Sequence, residues 1–305
     1  MPRPHPDPDS DHFRPSYDDD RPGVSIRPLS HADLDALLAH LDRHQDPGGT
    51  PKLGGPAPMV AVRVRASVGR PGASATAEYR RRQATEHIGW TRGLPWRVAV
   101  VLAAGVTAGL LAAQMGSHVA GLLAVVAAAG LAFLLRPRLS PDTRAWRRGA
   151  AGERRTARLL APLEGRGWAV LHDLAIPGSP ANIDHLVIGR GGVLVIDSKQ
   201  YRGRLQLDRY GMAWHGRHLL VSTLRKVRWQ ADQADEVLGI ADIQISAIVA
   251  VHGASVPWGV LQADGVTIIP ARRVPELLQA LPPTLGPERV AWLADRARLR
   301  FHAAA

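Results

Sequence analysis

Two acidic residues and one lysine interrupt two neighbouring apolar segments of the sequence. Asp184 stands near the start of the first segment, and Asp197 and Lys199 end the second. Residues two apart in a strand point to the same face, so we expect Asp197 and Lys199 to share a face. A tight hairpin turn at 189–192 would bring Asp184 beside them. Two carboxylates and an ammonium at a strand end can hold a divalent cation and a water beside a phosphodiester.

The residue types in this set match the needs of phosphodiester hydrolysis. That reaction requires a nucleophilic water, neutralisation of the oxyanion and assistance to the leaving oxygen, which hard cations held by oxygen ligands can supply. Asp184, Asp197 and the carbonyl oxygen of Ser198 are the candidate metal ligands. The Lys199 ammonium would orient the water or stabilise the developing charge. Glu153, on a predicted helix, is a candidate outer or second-metal ligand. Each residue alone is typical of a solvated turn, but together they predict a site.

The composition narrows the chemistry further. The chain has 305 residues and no cysteine, which excludes disulfides, thiolate catalysis and Cys-based zinc sites. Its formal net charge of +11 favours a polyanionic partner, either nucleic acid or an anionic membrane surface. Arginine-rich chains are also common in high-GC genomes, so the charge alone does not select nucleic acid.

The N-terminal part of the chain shows little sign of a packed domain. Residues 1–28 are rich in Pro and Asp and are predicted to be disordered. Residues 29–90 are predicted to form a small cytoplasmic segment, with a short helix after Ser30 and a short strand near 60–64. This segment is either a partner-binding element or a poorly ordered arm.

A long uncharged stretch precedes the apolar segments with the acidic residues. Residues 98–135 contain no Asp, Glu, Lys or Arg. A polar break at 114–118 divides them into two halves that are each long enough for a short membrane span. We therefore predict a transmembrane helical hairpin at 97–136. Arginines on both sides predict a multi-pass cell-membrane protein with both termini cytoplasmic. The alternative is a buried hairpin of Ala-rich helices in a soluble protein.

From residue 144 to residue 305 the pattern is that of an α/β domain. The predicted helices cover 150–163, 223–238, 274–281 and 287–300. The predicted strands cover 168–174, 183–188, 193–198, 203–207, 212–214, 245–251 and 266–269. The strand at 245–251 is apolar throughout, which is typical of a strand buried on both faces.

Several ordered sequence blocks in this region resemble the nuclease-related domain (NERD), a family placed in the PD-(D/E)xK nuclease superfamily. The resemblance covers roughly residues 144–251. The blocks that carry it are Gly149-Ala150-Ala151-Gly152-Glu153, Gly167-Trp168-Ala169-Val170, Asn182-Ile183-Asp184-His185-Leu186-Val187-Ile188, Gly192-Val193-Leu194-Val195-Ile196-Asp197-Ser198-Lys199 and Tyr201-Arg202-Gly203. The resemblance implies a restriction-endonuclease-like mixed sheet flanked by helices. It also implies a nuclease-like site that depends on Mg²⁺ or Mn²⁺.

The resemblance also assigns roles to individual residues. Glu153 corresponds to the glutamate of the Gly-x-Glu block, and Asp184 to the first metal-binding acid. Asp197-Ser198-Lys199 corresponds to the acid-x-lysine motif. Gln230 resembles a glutamine in the family's following helix, although an exposed polar helix residue is an equal alternative.

Other residues near the predicted site give weaker signals. His185 follows Asp184 directly and is therefore expected to point to the opposite face of the sheet. The histidines show no metal-ligand spacing. Basic residues flank the hairpin and could bind phosphates, but a solvated basic face is equally consistent. These residues are Arg202, Arg204, Arg209, Arg217, Arg225, Lys226 and Arg228.

Together these patterns predict a membrane-anchored, metal-dependent nuclease-like protein with nucleic acid, DNA in preference to RNA, as its substrate. The alternative from a different class is a non-catalytic module, tethered to the membrane, that binds nucleic acid or serves as a scaffold. A third hypothesis is that the apolar hairpin drives homo-oligomerisation while the N-terminal arm recruits a partner.

Overall fold

The protein forms two compact units in a computed structural model that describes residues 68–114, 118–134, 139–240 and 242–305. One unit consists of residues 76–147. The other contains residues 148–305 and the described residues up to 75. The predictions made for residues 1–28, for the helix after Ser30 and for the strand at 60–64 lie outside the described part of the chain.

The unit of residues 76–147 is helical. It contains most of α1 (Ala73–Arg92), α2 (Leu94–Gln114), α3 (His118–Leu134) and the first turns of α4 (Pro141–Glu164). The helices α2 and α3 pack side by side, and Gly105, Gly109 and Gly121 line the gap between them. This agrees with the small-residue contacts that bring membrane helices close together.

One helix of this unit is long and apolar enough to cross a membrane. It is α2, whose side chains remain largely exposed. The apolar part of α3, Ala124–Phe133, is too short by the same measure. Within the described residues there is thus one candidate span, and the predicted two-helix transmembrane hairpin is not confirmed.

The start of α4 is fixed by a glutamate that the sequence patterns did not single out. The Glu86 carboxylate on α1 accepts hydrogen bonds from the Ser140 backbone N–H (3.0 Å), the Ser140 hydroxyl (2.5 Å) and the Thr143 hydroxyl (2.5 Å). These hydrogen bonds lower the pKa of Glu86. Ser140 Oγ in turn accepts from the Thr143 backbone N–H, as an N-cap does. The helix therefore begins at Pro141, nine residues before the predicted start.

The second unit is built on a nine-stranded mixed sheet. Its strands are β1 (Ala169–Ala175), β2 (Asn182–Gly189), β3 (Gly192–Leu207), β4 (Ala213–His215), β5 (His218–Leu219), β6 (Ile245–Ser255), β7 (Leu261–Ala263), β8 (Val266–Pro270) and β9 (His302–Ala303). The main strand order is β7-β8-β6-β3-β2-β1-β9, and β4 and β5 extend from the end of β3. Strand β6 runs parallel to β3 and β8, and the remaining pairs are antiparallel.

Helices cover both faces of this sheet. The remaining helices are α5 (Val221–Leu238), α6 (Val274–Ala280) and α7 (Pro287–Arg300). Leu186 and Val195 share a core with residues of α5 and α7, whereas Val187 and Leu194 share a core with residues of α4 and α6. Consecutive residues of β2 and β3 thus enter different cores, so the sheet is buried on both sides. The predicted mixed sheet flanked by helices is confirmed.

The hairpin between β2 and β3 is held by glycines that make close contacts. The backbone of Gly189 lies against the Trp168 indole, which leaves no room for a Cβ. A Cβ on Gly191 would lie 2.5 Å from the Cβ of Leu281. Gly192 has φ = 118°, a conformation that side chains disfavour. The predicted turn at 189–192 is therefore present, with Arg190 and Gly191 between the strands.

Two predicted strands form one. The segments predicted at 193–198 and 203–207 are both parts of β3, which continues through a register shift between Gln200 and Gly203. The shift lies directly after Lys199, and Gly203 has a positive φ of 81°. A bulge of this kind bends a strand and increases its twist. It therefore turns the chain at the position where the candidate site ends.

Candidate active site

The structure gathers the predicted site residues from four elements. Asp184 lies on β2, Asp197 and Lys199 on β3, Glu153 on α4 and Gln230 on α5. His185 pairs with Ile196, and continuing this antiparallel register by one step sets Asp184 opposite Asp197. The exposed fractions of Glu153, Asp184, Asp197 and Gln230 are 7%, 9%, 2% and 1%. Four polar groups are thus buried where a folded core alone would favour apolar ones.

Two contacts fix the carboxylates relative to β3. The Ser198 backbone N–H donates a hydrogen bond of 2.8 Å to Asp184 Oδ2. The Lys199 ammonium lies 3.1 Å from Asp197 Oδ1 and 3.0 Å from Asp197 Oδ2. The Asp-x-Lys spacing accounts for the second contact, because both side chains leave the same face of one strand. Asp197 is buried and Lys199 is partly buried, so their ion pair is largely shielded from solvent.

Three oxygen atoms of the site are buried without a hydrogen-bond donor among the residues that the structure describes. They are Glu153 Oε2, Asp197 Oδ2 and Gln230 Oε1. Asp197 Oδ2 lies close to the Lys199 ammonium, but the angle between them is not that of a hydrogen bond. An unpaired buried polar atom costs about 1–3 kcal/mol. Oxygen atoms in this state suit a hard cation, which takes only oxygen ligands.

The electrostatics of the carboxylates also favour an added positive charge. Burial and the nearby Asp184 carboxylate raise the pKa of Glu153 to about 9. Burial and the Asp197 carboxylate raise the pKa of Asp184 to about 7. A carboxyl group that ionises only with difficulty in the bare protein ionises readily when a cation lies beside it.

Lys199 remains positively charged in this environment. Burial acts to lower the pKa of the Lys199 ammonium, but the Asp197 and Asp184 carboxylates raise it by more, so the net shift is upward. An ammonium with a raised pKa cannot take a proton from water at neutral pH. Lys199 is therefore suited to donate hydrogen bonds and to stabilise negative charge.

The donor set fits Mg²⁺ better than it fits a transition metal. No group of three or more His, Cys, Asp or Glu side chains in the described residues is arranged to hold a metal ion by itself. Mg²⁺ requires fewer protein ligands, since proteins usually bind it through one or two carboxylates while it keeps several waters. Asp184 and Asp197 supply the carboxylates, and the Ser198 carbonyl and Glu153 are further oxygen donors. The residues present therefore fit the ion that the family resemblance implies.

The Ser198 hydroxyl takes no part in this set because it points into a network of buried polar groups. It donates to Thr156 Oγ1 (2.8 Å) and lies 3.3 Å from His185 Nε2. His185 Nδ1 contacts His172 Nδ1 (2.8 Å), and Thr156 Oγ1 contacts His252 Nε2 (2.9 Å). His185 thus points away from the carboxylates, as the strand alternation predicts. Only the backbone of Ser198 is left to face them.

This network keeps the three histidines neutral. Burial lowers the pKa of His172 to about 4 and that of His185 well below its ordinary range. Burial, with Arg155, also lowers the pKa of His252. The network connects α4 with β1, β2, β3 and β6 directly behind the Asp-Ser-Lys segment, so it positions that segment. The sequence showed the histidines but gave no sign that distant strands would bring them into contact.

A second group missed from the sequence surrounds Asp173. This residue is fully buried and has a positive φ of 49°. Its carboxylate accepts hydrogen bonds from the Ser74 backbone N–H (2.8 Å), the Ser74 hydroxyl (2.5 Å) and the Asn182 amide (2.8 Å). The Gln230 amide donates to the Asn182 carbonyl oxygen at 2.6 Å. Gln230, on α5, is therefore buried against the start of β2, and the alternative of an exposed helix residue is wrong.

The basic residues near the site differ in their exposure and in whether they form ion pairs. Lys226 on α5 is exposed and close enough to Asp184 to lower the pKa of that carboxyl. Arg228 is paired with Asp264 at 2.9 Å. Arg202 and Arg204 are exposed on β3 beyond the register shift. Among the predicted phosphate contacts, Lys226 is thus one whose charge acts on the site carboxylates.

Comparison with known proteins finds a family match for one segment of the chain. Residues 148–252 match the family model described as nuclease-related domain, which confirms the resemblance found in the sequence. All the candidate site residues lie within this range. An uncharacterized protein of Bacillus anthracis is 33% identical over 70 residues, which cover 22% of this chain and 33% of that protein. The match thus spans about a third of the relative's length. No solved structure matches the chain.

Proposed function

We propose that this protein is a membrane-anchored, metal-dependent nuclease-like enzyme that hydrolyses phosphodiester bonds of nucleic acid, with DNA favoured. The observation that carries the proposal is the cluster of Asp184, Asp197 and Lys199, within a segment that matches the nuclease-related domain. Both carboxylates are buried, Lys199 is partly buried, and Asp197 Oδ2 has no hydrogen-bond donor among the described residues. A cluster of this kind costs folding free energy unless it serves a bound ion or substrate.

The roles follow from the geometry of each residue. Asp184, Asp197 and the Ser198 carbonyl would hold Mg²⁺ or Mn²⁺, with Glu153 and Gln230 at its outer side. When bound, such an ion polarises the phosphoryl oxygens and lowers the pKa of a water. In the hydrolysis, the water oxygen bonds to phosphorus while the bond from phosphorus to one ester oxygen breaks. The water gives up one proton to solvent, and the released ester oxygen takes up one.

Lys199 is the group of this chain best placed to assist that step. Its ammonium, held by Asp197, would donate a hydrogen bond to the attacking water and offset the negative charge that develops on the phosphate. Lys226, exposed beside the site, would hold a neighbouring phosphate of the substrate strand. Gln230 is a positioning residue, since its amide is bonded to the start of the strand that carries Asp184.

The test is a cleavage assay with the purified full-length protein in detergent. Plasmid DNA, linear duplex DNA, single-stranded DNA and RNA are each incubated with Mg²⁺, Mn²⁺ or EDTA. We expect cleavage that requires the metal and is lost in Asp184→Asn. An exposed carboxylate on α7 provides the matched control, and Glu288→Gln should cleave like the wild type.

The non-catalytic alternative predicts a different result. A folded protein that binds these nucleic acids in a salt-sensitive way, cleaves none of them and is unaffected by Asp184→Asn would contradict catalysis. This result would instead favour a non-catalytic module that binds nucleic acid while tethered to the membrane.

The membrane anchor is a separate part of the proposal. Exposed apolar residues on both α2 and α3, with arginines on both sides of the apolar region, support the proposal of two short spans with both termini cytoplasmic. The chain has no cysteine, so single cysteines report topology without background. In intact cells an impermeant maleimide should label Gly116→Cys, between the spans, and leave Ser10→Cys unlabelled. Labelling of Ser10→Cys would contradict the proposed orientation.

A further inference from the structure

A wide cleft opens beside the candidate active site at the ends of the parallel strands β6 and β8. Its volume is about 960 Å³, and it is lined by the end of β6, the turn Pro257–Gly259 and residues 270–273. The first lining residue of β6, Val251, pairs with Lys199, and His252 pairs with Gln200. The cleft therefore begins on the strand adjacent to the candidate catalytic lysine, about 5 Å away across the sheet.

The most exposed large hydrophobic side chain in the cleft is an aromatic ring. Trp258 is 70% exposed. Its backbone is left-handed, with φ = 53° and ψ = 11°, a conformation that is sterically unfavourable for a bulky residue. The neighbouring Gly259 has no room for a Cβ because the Arg273 guanidinium packs against it. The chain thus keeps an indole presented to solvent at the cost of an unfavourable turn, which points to a ligand with a flat face.

The cleft also carries positive charge that is available to a ligand. Arg273 is partly buried and lies 3.7 Å from Glu276. Arg272 is exposed, and no acidic partner for it occurs among the described residues. Proteins hold single-stranded nucleic acid with aromatic rings and basic side chains that line the same groove, and this cleft has both. The ring stacks on a base, and the cation contacts the phosphate.

We propose that this cleft binds an unpaired nucleotide of the substrate, with its base stacked on Trp258 and its phosphate on Arg272. Bases within a duplex are already stacked on both faces, so an indole on the protein surface can reach only a base that is single-stranded, frayed or flipped out. The inference rests on the proposed nuclease function and extends it. The substrate class is nucleic acid with an unpaired segment directly beside the scissile phosphate.

The test measures binding in EDTA, where no cleavage occurs, by fluorescence anisotropy of the full-length protein in detergent. The probes are a labelled single-stranded oligonucleotide and the blunt-ended duplex that it forms with its complementary strand. We expect Trp258→Ala to weaken single-strand binding by about 5- to 150-fold. Trp258→Phe should retain most of the affinity, and duplex binding should change less than twofold. Arg272→Ala should weaken single-strand binding and reduce its dependence on salt.

Controls separate this inference from the function on which it rests. Trp292 is 44% exposed on α7, outside the cleft, so Trp292→Ala should bind both probes like the wild type. Equal single-strand affinities of the wild type, Trp258→Ala and Arg272→Ala would overturn the cleft assignment while metal-dependent cleavage still supports the nuclease. An equal loss on both probes would also overturn it, because the cleft would then contact duplex. A wild type that neither binds nor cleaves nucleic acid would reject the nuclease function itself.

Discussion

The replacement of Glu153 by glutamine should make the metal-free protein more stable while it removes activity. Glu153 is 7% exposed, and its Oε2 has no hydrogen-bond donor in the described structure. Burial and the nearby carboxylates raise its pKa from 4.5 to about 9. At pH 7 the folded state therefore keeps a proton on Glu153 that the unfolded state has released. Glutamine has a similar shape and carries no such penalty.

The gain in stability at pH 7 follows from the difference between pH 7 and the ordinary glutamate pKa of 4.5. Each pH unit of proton retention costs about 1.4 kcal/mol, so the penalty at pH 7 is about 3 kcal/mol. For a domain of this size, that corresponds to a melting temperature roughly 6–12 °C higher in Glu153→Gln. The sign is fixed by linkage. Below pH 4.5 both states hold the proton and the difference vanishes, and above it the advantage of glutamine grows until about pH 9.

Calorimetry of the full-length protein in detergent with EDTA, between pH 5 and pH 8, measures this difference. Glu288→Gln, in the first turn of α7, is the control; it removes a charge that favours the helix and should lower stability by at most about 1 kcal/mol, the opposite sign to Glu153→Gln. A Glu153→Gln protein that is no more stable than the wild type at pH 7 would refute the reasoning. So would a gain that does not change with pH. Either result would mean that Glu153 is already stabilised as a carboxylate.

Three further predictions concern metal binding, stability at low pH and the hairpin between β2 and β3. Mg²⁺ at 100 times its Kd should stabilise the wild type by about 2.7 kcal/mol in calorimetry and leave Asp184→Asn unchanged; equal stabilisation of both would argue against the site. Because burial lowers the pKa of His172 from 6.5 to about 4, only the unfolded state takes up its proton between these values. The stability that His172 contributes should therefore be complete above pH 6.5 and fall by about 1.4 kcal/mol per pH unit below it, so the difference between the wild type and His172→Gln in urea unfolding should change with this slope. Gly189→Ala, which forces a Cβ into the Trp168 ring, should cost about 1–3 kcal/mol by urea unfolding, while Gly149→Ala, in open space, should cost nothing.

The local elements near the site could be predicted from the sequence because their signals are local. The Asp197-x-Lys199 spacing places two side chains on one strand face whatever the rest of the fold does. The glycines at 189–192 indicate a tight turn, and the structure has one there. The position of Asp184 opposite Asp197 follows from these two features. The same alternation correctly predicted that His185 points away from the carboxylates.

What could not be predicted depends on contacts between distant segments. The environment of Asp173 requires Ser74, which lies 99 residues earlier in the chain. The histidine network joins residues on three separate strands, and no spacing within one strand reveals it. The register shift after Gln200 was hidden because a bulged strand and two short strands have the same apolar pattern. The strands β5, β7 and β9 have two or three residues each, too few for any periodicity.

The central claim is that Lys199, held by Asp197, assists hydrolysis at a metal-dependent site. Its most direct test is the single-turnover rate of DNA cleavage with saturating Mg²⁺ for the wild type and Lys199→Ala, with calorimetry to establish that both are folded. We predict a rate at least about 100-fold lower in Lys199→Ala, the effect of losing one group that stabilises the transition state. Equal rates in two folded proteins would contradict the account, because hydrolysis would then not depend on this cluster.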